Sequence, residues 1–162
     1  MSSSTPTIKQ IAWLNFIPQV VYIALFFGLF YLLGVKNPFV PAVLMWFALA
    51  SALQNLVPRH HRRGMAFVKH GDYEPAIEHF ENSYHFFTRN KWVDKYRSVV
   101  LLSISRISYR EMALLNIAFC FSQTGDGEKA KEYYNRVLDE FPDSIVAQTA
   151  LNMLNSFNDK TE

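Results

Sequence analysis

Hydrophobic and polar positions are arranged in two quite different ways along this 162-residue chain. From Ile17 to Val35, and again from Phe39 to Val57, the side chains are apolar on every side of a helix. Gln19 is the polar exception in the first run, and Gln54 and Asn55 are those near the end of the second. Each run is 19 residues long, enough to cross a hydrocarbon core of about 30 Å at about 1.5 Å per residue. A helix of a water-soluble fold needs a polar face, and neither run has one. The pattern therefore predicts a transmembrane helical hairpin over residues 17–57, with Lys36, Asn37 and Pro38 as its tight turn. Two alternatives stay open on the pattern alone: a cleaved signal peptide for the first run, or a buried soluble bundle for the pair. The first run is long for a signal, its leader carries only Lys9, and no small-x-small cleavage site follows closely. Trp13, Tyr22, Tyr31 and Trp46 sit toward the run ends without fixing a depth.

Beyond Arg63 the period changes to that of amphipathic helices. In the stretch from Ser108 to Pro142, Leu114, Leu115, Ile117, Ala118 and Phe121 recur at helical spacing before Gly125, and Ala130, Tyr133, Tyr134, Val137 and Leu138 recur after it. Ser108 followed by Glu111 fits a capping box. Gly125 suits a turn, Asp126 can cap the second helix, and Pro142 stops it. An earlier stretch repeats the order: Gly64, Phe67, Gly71-Asp72-Tyr73, Ala76, Phe80 and Ser83. A last amphipathic helix follows Pro142, with Ser144 as its expected cap and Ile145, Ala147, Ala150, Leu151, Leu154 and Phe157 as its apolar stripe.

These two stretches resemble the tetratricopeptide repeat, a helix-turn-helix unit of about 34 residues. The match rests on the small residue at Gly64 or Ala118, the aromatic at Phe67 or Phe121, Gly-Asp in the turn, Ala76 or Ala130, the aromatic at Phe80 or Tyr134, and Pro142. It spans about Pro58 to Pro142. Gly71 and Gly125 lie 54 residues apart, about 20 more than the family period, so the array is interrupted. The expected fold class is all-α: a two-helix transmembrane hairpin, then a helical-hairpin domain like tetratricopeptide repeats with a C-terminal capping helix. The expected boundaries are a tail over 1–16, the hairpin over 17–57, a basic juxtamembrane segment over 58–63, the helical domain over 64–157 and a tail over 158–162. Within the domain, the repeat-like units cover about 58–89 and 109–142, with an insertion over 90–107 and the capping helix over 144–157. The insertion is expected as a short helix and loop packed over the repeats. An apolar flap on the membrane surface and a partner-binding element are the alternatives. Two repeats fall short of the usual three, so the terminal helix, the insertion or self-association must supply the missing burial.

Charge divides the chain at the same place. Residues 1–63 hold five basic residues, Lys9, Lys36, Arg59, Arg62 and Arg63, and no acidic one. All 14 acidic residues lie beyond, with 11 basic ones, so the helical domain is net acidic and poorly suited to nucleic acid. The cluster Arg59, Arg62 and Arg63 at the exit of the second run outweighs Lys36 in the turn, which predicts that the N-terminus and the helical domain are both cytoplasmic. An integral membrane protein, as in a bacterial inner membrane, is the expected setting, with anionic head groups as contacts of the cluster.

Catalytic chemistry is not written in the sequence. Gly125-Asp126-Gly127-Glu128-Lys129-Ala130 has dinucleotide-fingerprint spacing, but it follows a helix rather than a strand, so it does not predict a phosphate site. His60, His61, His70, His79 and His85 form no metal-ligand motif, although His60-His61 invites a metal or pH role beside the plainer one of interfacial charge. Cys120 has no partner cysteine in the chain and reads as a small core residue. No ionisable residue lies within the apolar runs, which removes the usual mark of a pump or proton relay. No catalytic residue, cofactor or metal is expected.

The resemblance instead implies a groove lined by the first helix of each repeat. Met112, Leu115, Asn116, Phe119, Ser122 and Gln123 would come from the later repeat, and Met65, Val68 and Lys69, with His61, from the earlier one. His61 and Met65 stand where a carboxylate clamp would need lysine and asparagine, so an apolar peptide segment is the better-matched ligand. The expected function is a membrane-tethered adaptor or scaffold for a protein or peptide partner. The alternative is an accessory or assembly subunit of a larger membrane complex, held mainly through its hairpin.

Overall fold

A computed structural model describes residues 13–158. Its architecture is all-α. The helices are α1 (Ile17–Leu32), α2 (Phe39–Leu56), α3 (Arg59–His70), α4 (Tyr73–Arg89), α5 (Lys91–Lys95), α6 (Arg97–Val100), α7 (Tyr109–Gln123), α8 (Gly127–Glu140) and α9 (Ile145–Asn158), preceded by a 3-10 turn over Trp13–Phe16. They form two compact units. One joins the described residues up to Val57 to the segment Trp92–Arg106, and the other joins Pro58–Lys91 to the chain from Ile107 onward.

In the first unit, α1 and α2 pack as a hairpin. Pro18 and Pro41 fall in the opening turns, where a missing amide costs no helical hydrogen bond. Helix α1 stops at Leu32, short of the expected Val35, because Gly34 turns left-handed at φ +74° and its amide bonds back to the Tyr31 carbonyl. Among the described residues, Leu14–Leu32 and Phe39–Leu56 are long and apolar enough to cross a membrane. Most of their large side chains are exposed, among them Val20, Leu25, Phe27, Leu29, Leu44 and Phe47, so they are not the buried core of a bundle formed by this chain.

The segment 92–106 lies with this hairpin, which corrects the expectation that the insertion packs over the repeats. The reason is polar. Leu102 sits at φ +50°, an unusual backbone for a bulky residue. Its carbonyl accepts the Gln19 Nε2 amide at 2.6 Å and the Gln54 Nε2 amide at 3.0 Å. Gln19 Oε1 in turn accepts the Trp46 indole N–H at 3.1 Å. Arg97 braces the same loop, donating to the Asp94, Ser105 and Arg106 carbonyls. The amides that interrupt two apolar runs are thus the anchors of a loop whose carbonyl needs donors.

The second unit is a right-through stack in which α3 packs on α4, α4 on α7, α7 on α8, and α8 on α9. Its two hairpins use the same turn. Gly71 and Gly125 adopt φ +80° and +84°, and the next amides, of Asp72 and Asp126, reach back to the carbonyls of Phe67 and Phe121 at 3.0 Å each, as in a Schellman motif. The equivalent inner positions are fully buried in both: Ala76 and Ala130, Ser83 and Val137. Ser108 Oγ accepts the Glu111 amide at 3.1 Å and Asp126 Oδ1 accepts the Lys129 amide at 3.1 Å, so both expected caps form. A third expected cap does not. The Ser144 hydroxyl is buried without a partner among the described residues, and α9 starts instead with the Ser144 carbonyl accepting the Gln148 amide. Ala147 and Leu151 of α9 enter the core beside Leu114 and Val137, with Val146, Ala150 and Leu154 half-buried around them. Ile145 faces outward instead, and the Phe157 side chain lies outside the described ones.

Candidate partner-binding groove

The first helices of the two hairpins, α3 and α7, touch along one side of the second unit. This contact brings together some of the side chains expected to line a groove. Asn116 Nδ2 lies 3.7 Å from Met65 Sδ, a weak donor contact across 51 residues of chain. Phe119, 38% exposed, meets the ring of Tyr73 edge-on at 6.1 Å. Tyr73 was legible only as a turn aromatic; here it forms one wall beside Phe119. Ser122 turns its hydroxyl back to the Phe119 carbonyl at 2.7 Å and so presents little to a ligand. Met112 is half-exposed, while Lys69 and Gln123 are exposed.

Two expected lining residues are placed elsewhere. Leu115 is 8% exposed and belongs to the core cluster with Tyr84, Leu114 and Leu151. His61 is also buried, edge-on to Phe80 at 5.4 Å and to Tyr109 at 5.6 Å. Burial lowers its imidazole from 6.5 to about 4, so at neutral pH it is an uncharged aromatic of the core rather than part of a surface charge cluster. Met65 and Val68 are intermediate, half-buried against Phe80 and Ile117. Of the expected lining residues, Met65, Val68, Met112 and Asn116 are thus half-buried, and Phe119 and Lys69 are exposed.

Cys120, beside Phe119 in sequence, points into the core, and burial pushes its thiol up to about 11, so it is a poor nucleophile. Among the described residues no three His, Cys, Asp or Glu side chains are grouped to hold a metal ion. Behind the face, α4, α7 and α8 are clasped by Glu140, whose carboxylate accepts from the Tyr84 hydroxyl and pairs with Arg110 and, at 3.6 Å, with Arg136. The Arg136 guanidinium also lies 4.6 Å from the centre of the Tyr84 ring.

No curated protein matches the chain. Residues 112–144, which run from the first turn of α7 through α8 and its closing turn, match the family model of the tetratricopeptide repeat, and the helical unit is tetratricopeptide-like in this hairpin.

Proposed function

We propose that this chain is a membrane-tethered protein-interaction module that offers the face between α3 and α7 to an apolar peptide segment on the cytoplasmic side. The observation that carries this reading is the repeat over residues 112–144 together with the exposed ring of Phe119 on its first helix. Helical repeats of this kind use such faces to hold protein partners.

Tethering is supported by the two exposed apolar helices. The orientation is supported by Arg59, Arg62 and Arg63, all exposed, against the single Lys36 of the hairpin turn. Each of these arginines adds about 1 kcal/mol of attraction to an anionic membrane surface. Confinement to a membrane raises the effective concentration of a co-localised partner, so a shallow face of modest affinity suffices.

The test is cross-linking from a photoreactive residue at Phe119 in native membranes, with identification by mass spectrometry. Capture of a separate protein that is lost on Asn116→Ala supports the face as a working site. Capture of only this chain, through its own α9 or a second copy, means that the face is already filled, and the adaptor reading fails.

A further inference from the structure

The hairpin unit contains a cavity of about 710 Å³, lined by both spanning helices and by the loop that Gln19 and Gln54 hold. Its volume lies in the range of small-molecule sites, about 300–1,000 Å³. Its lining is mostly apolar with a few polar side chains. Val20 and Phe47 line it and are also exposed on the apolar outer surface of the hairpin, so its mouth opens through that surface. The polar side chains of its lining are those of Gln19 and Ser103, both buried, the half-buried Ser51 and Ser105, and the exposed Gln54.

Among the described residues, no charged side chain lines the cavity. Arg97, in the segment that closes it, has its guanidinium engaged by three backbone carbonyls of that segment. A phosphate or carboxylate brought inside would therefore lose its water without gaining a counter-charge, which is costly. A hydroxyl or carbonyl head loses far less and finds amide and hydroxyl partners.

We infer that this cavity is a binding site for a neutral membrane amphiphile, one with an apolar chain and an uncharged hydroxyl or carbonyl head. The inference rests on the membrane placement proposed above. The chain of the ligand lies against Val20, Ile23 and Phe47, and its head reaches the serines and Gln54. Acylglycerols and polyprenyl quinones both carry this chemistry.

Trp46 lines the cavity, so its fluorescence is the readout. The full-length chain carrying Trp13→Phe and Trp92→Phe is placed in phosphatidylcholine nanodiscs and titrated with a brominated diacylglycerol, a polyprenyl quinone or a brominated phosphatidylcholine, all of which quench indole on contact. The expected result is saturable quenching by one of the two neutral amphiphiles at a mole fraction about ten-fold below that needed for phosphatidylcholine, equivalent to about 1.4 kcal/mol. Which of them saturates identifies the source. Ala50→Leu, which fills the cavity wall, abolishes the saturation while leaving bulk-lipid quenching intact. Equal, unsaturable quenching by all three probes overturns the site while leaving the membrane placement standing. Saturation that survives Ala50→Leu locates binding elsewhere and also overturns it. No quenching by any probe means that the hairpin is outside the bilayer, and both readings fall together.

Discussion

The Gln19 side-chain amide donates to the Leu102 carbonyl at 2.6 Å, across 83 residues of chain. Gln54 donates to the same oxygen from the other helix, so a single backbone carbonyl is held by two side chains that would otherwise interrupt apolar runs. An unsatisfied buried carbonyl costs about 1–3 kcal/mol, and the left-handed backbone at Leu102 stores about 1–3 kcal/mol more. These amides therefore help to hold the segment in place, alongside the Arg97 bonds within it and the burial of Leu101 and Leu102.

Removing both donors should release that segment. In the double variant Gln19→Leu, Gln54→Leu, a cysteine introduced at Ser103, which is buried, should label with a maleimide at least several-fold faster than in the parent. The parent background is quiet because burial keeps the thiol of Cys120 protonated. Unchanged labelling would show that the amides do not hold the loop.

A second expectation concerns Gly64. A Cβ added there would lie 2.8 Å from the Phe80 ring, closer than packed carbon atoms approach. Glycine to alanine in a helix ordinarily gains about 0.5–1 kcal/mol, but overpacking a filled core costs about 1–3 kcal/mol, and the clash should win. Gly64→Ala is expected to lower the denaturant midpoint of the full chain in detergent. Adding Phe80→Leu, which removes the obstructing ring edge, should recover part of the loss. A neutral or stabilising Gly64→Ala would mean that α3 and α4 are more loosely packed than the contact implies.

His61 should make stability depend on pH. Its folded value, about 4, lies below its ordinary 6.5. Between those limits the unfolded chain takes up a proton and the folded chain does not. The contribution is complete above pH 6.5 and is lost progressively as pH falls toward 4, at about 1.4 kcal/mol per unit. The total is about 3 kcal/mol. His60, lowered first by partial burial and then by Arg59, His79 and Arg63, acts in the same direction. His61→Phe, which keeps an aromatic against Phe80 and Tyr109, should flatten the unfolding free energy between pH 7 and 4.5. An equal slope in parent and variant would place the titrating group elsewhere.

The parts of this fold that were legible in the sequence are those fixed by local chemistry. The two apolar runs become α1 and α2, the Gly-Asp pairs become matching turns, and Ser108 and Asp126 cap the helices that follow them. The rest depends on which distant group comes near. Nothing in the local pattern shows that Leu102 will turn its carbonyl toward Gln19, so the destination of residues 92–106 was missed. Leu115 and Phe119 occupy consecutive turns of one helix, yet the first is buried and the second exposed, because α7 is apolar around much of its circumference and periodicity does not rank its faces. His61 follows His60 in a basic run, but one helical step of 100° carries it inward against Phe80 and Tyr109.

The last expectation concerns Glu140, which ties three helices at once. Its carboxylate accepts the Tyr84 hydroxyl of α4, pairs with Arg110 of α7, and lies 3.6 Å from Arg136 of its own helix. Arg110 and Glu140 are each about one-fifth exposed, so solvent screens the pair only partly. Glu140→Gln keeps the shape and removes the charge, while Glu140→Leu removes every acceptor. Truncating one partner of a half-buried, hydrogen-bonded ion pair leaves the others short of acceptors, which costs more than the exposed-pair value of about 0.2–1 kcal/mol and less than the 3–5 kcal/mol of a fully buried one. Glu140→Leu should therefore cost about 1–3 kcal/mol in denaturant unfolding of the full chain, and Glu140→Gln less, because its amide oxygen still accepts from Tyr84. In the double variant Arg110→Met, Glu140→Leu the losses should fall short of additivity, since the second change removes a cation already deprived of its partner. Simple additivity would mean that the clasp contributes nothing beyond its separate packing, and that α4 and α7 are held by the apolar core alone.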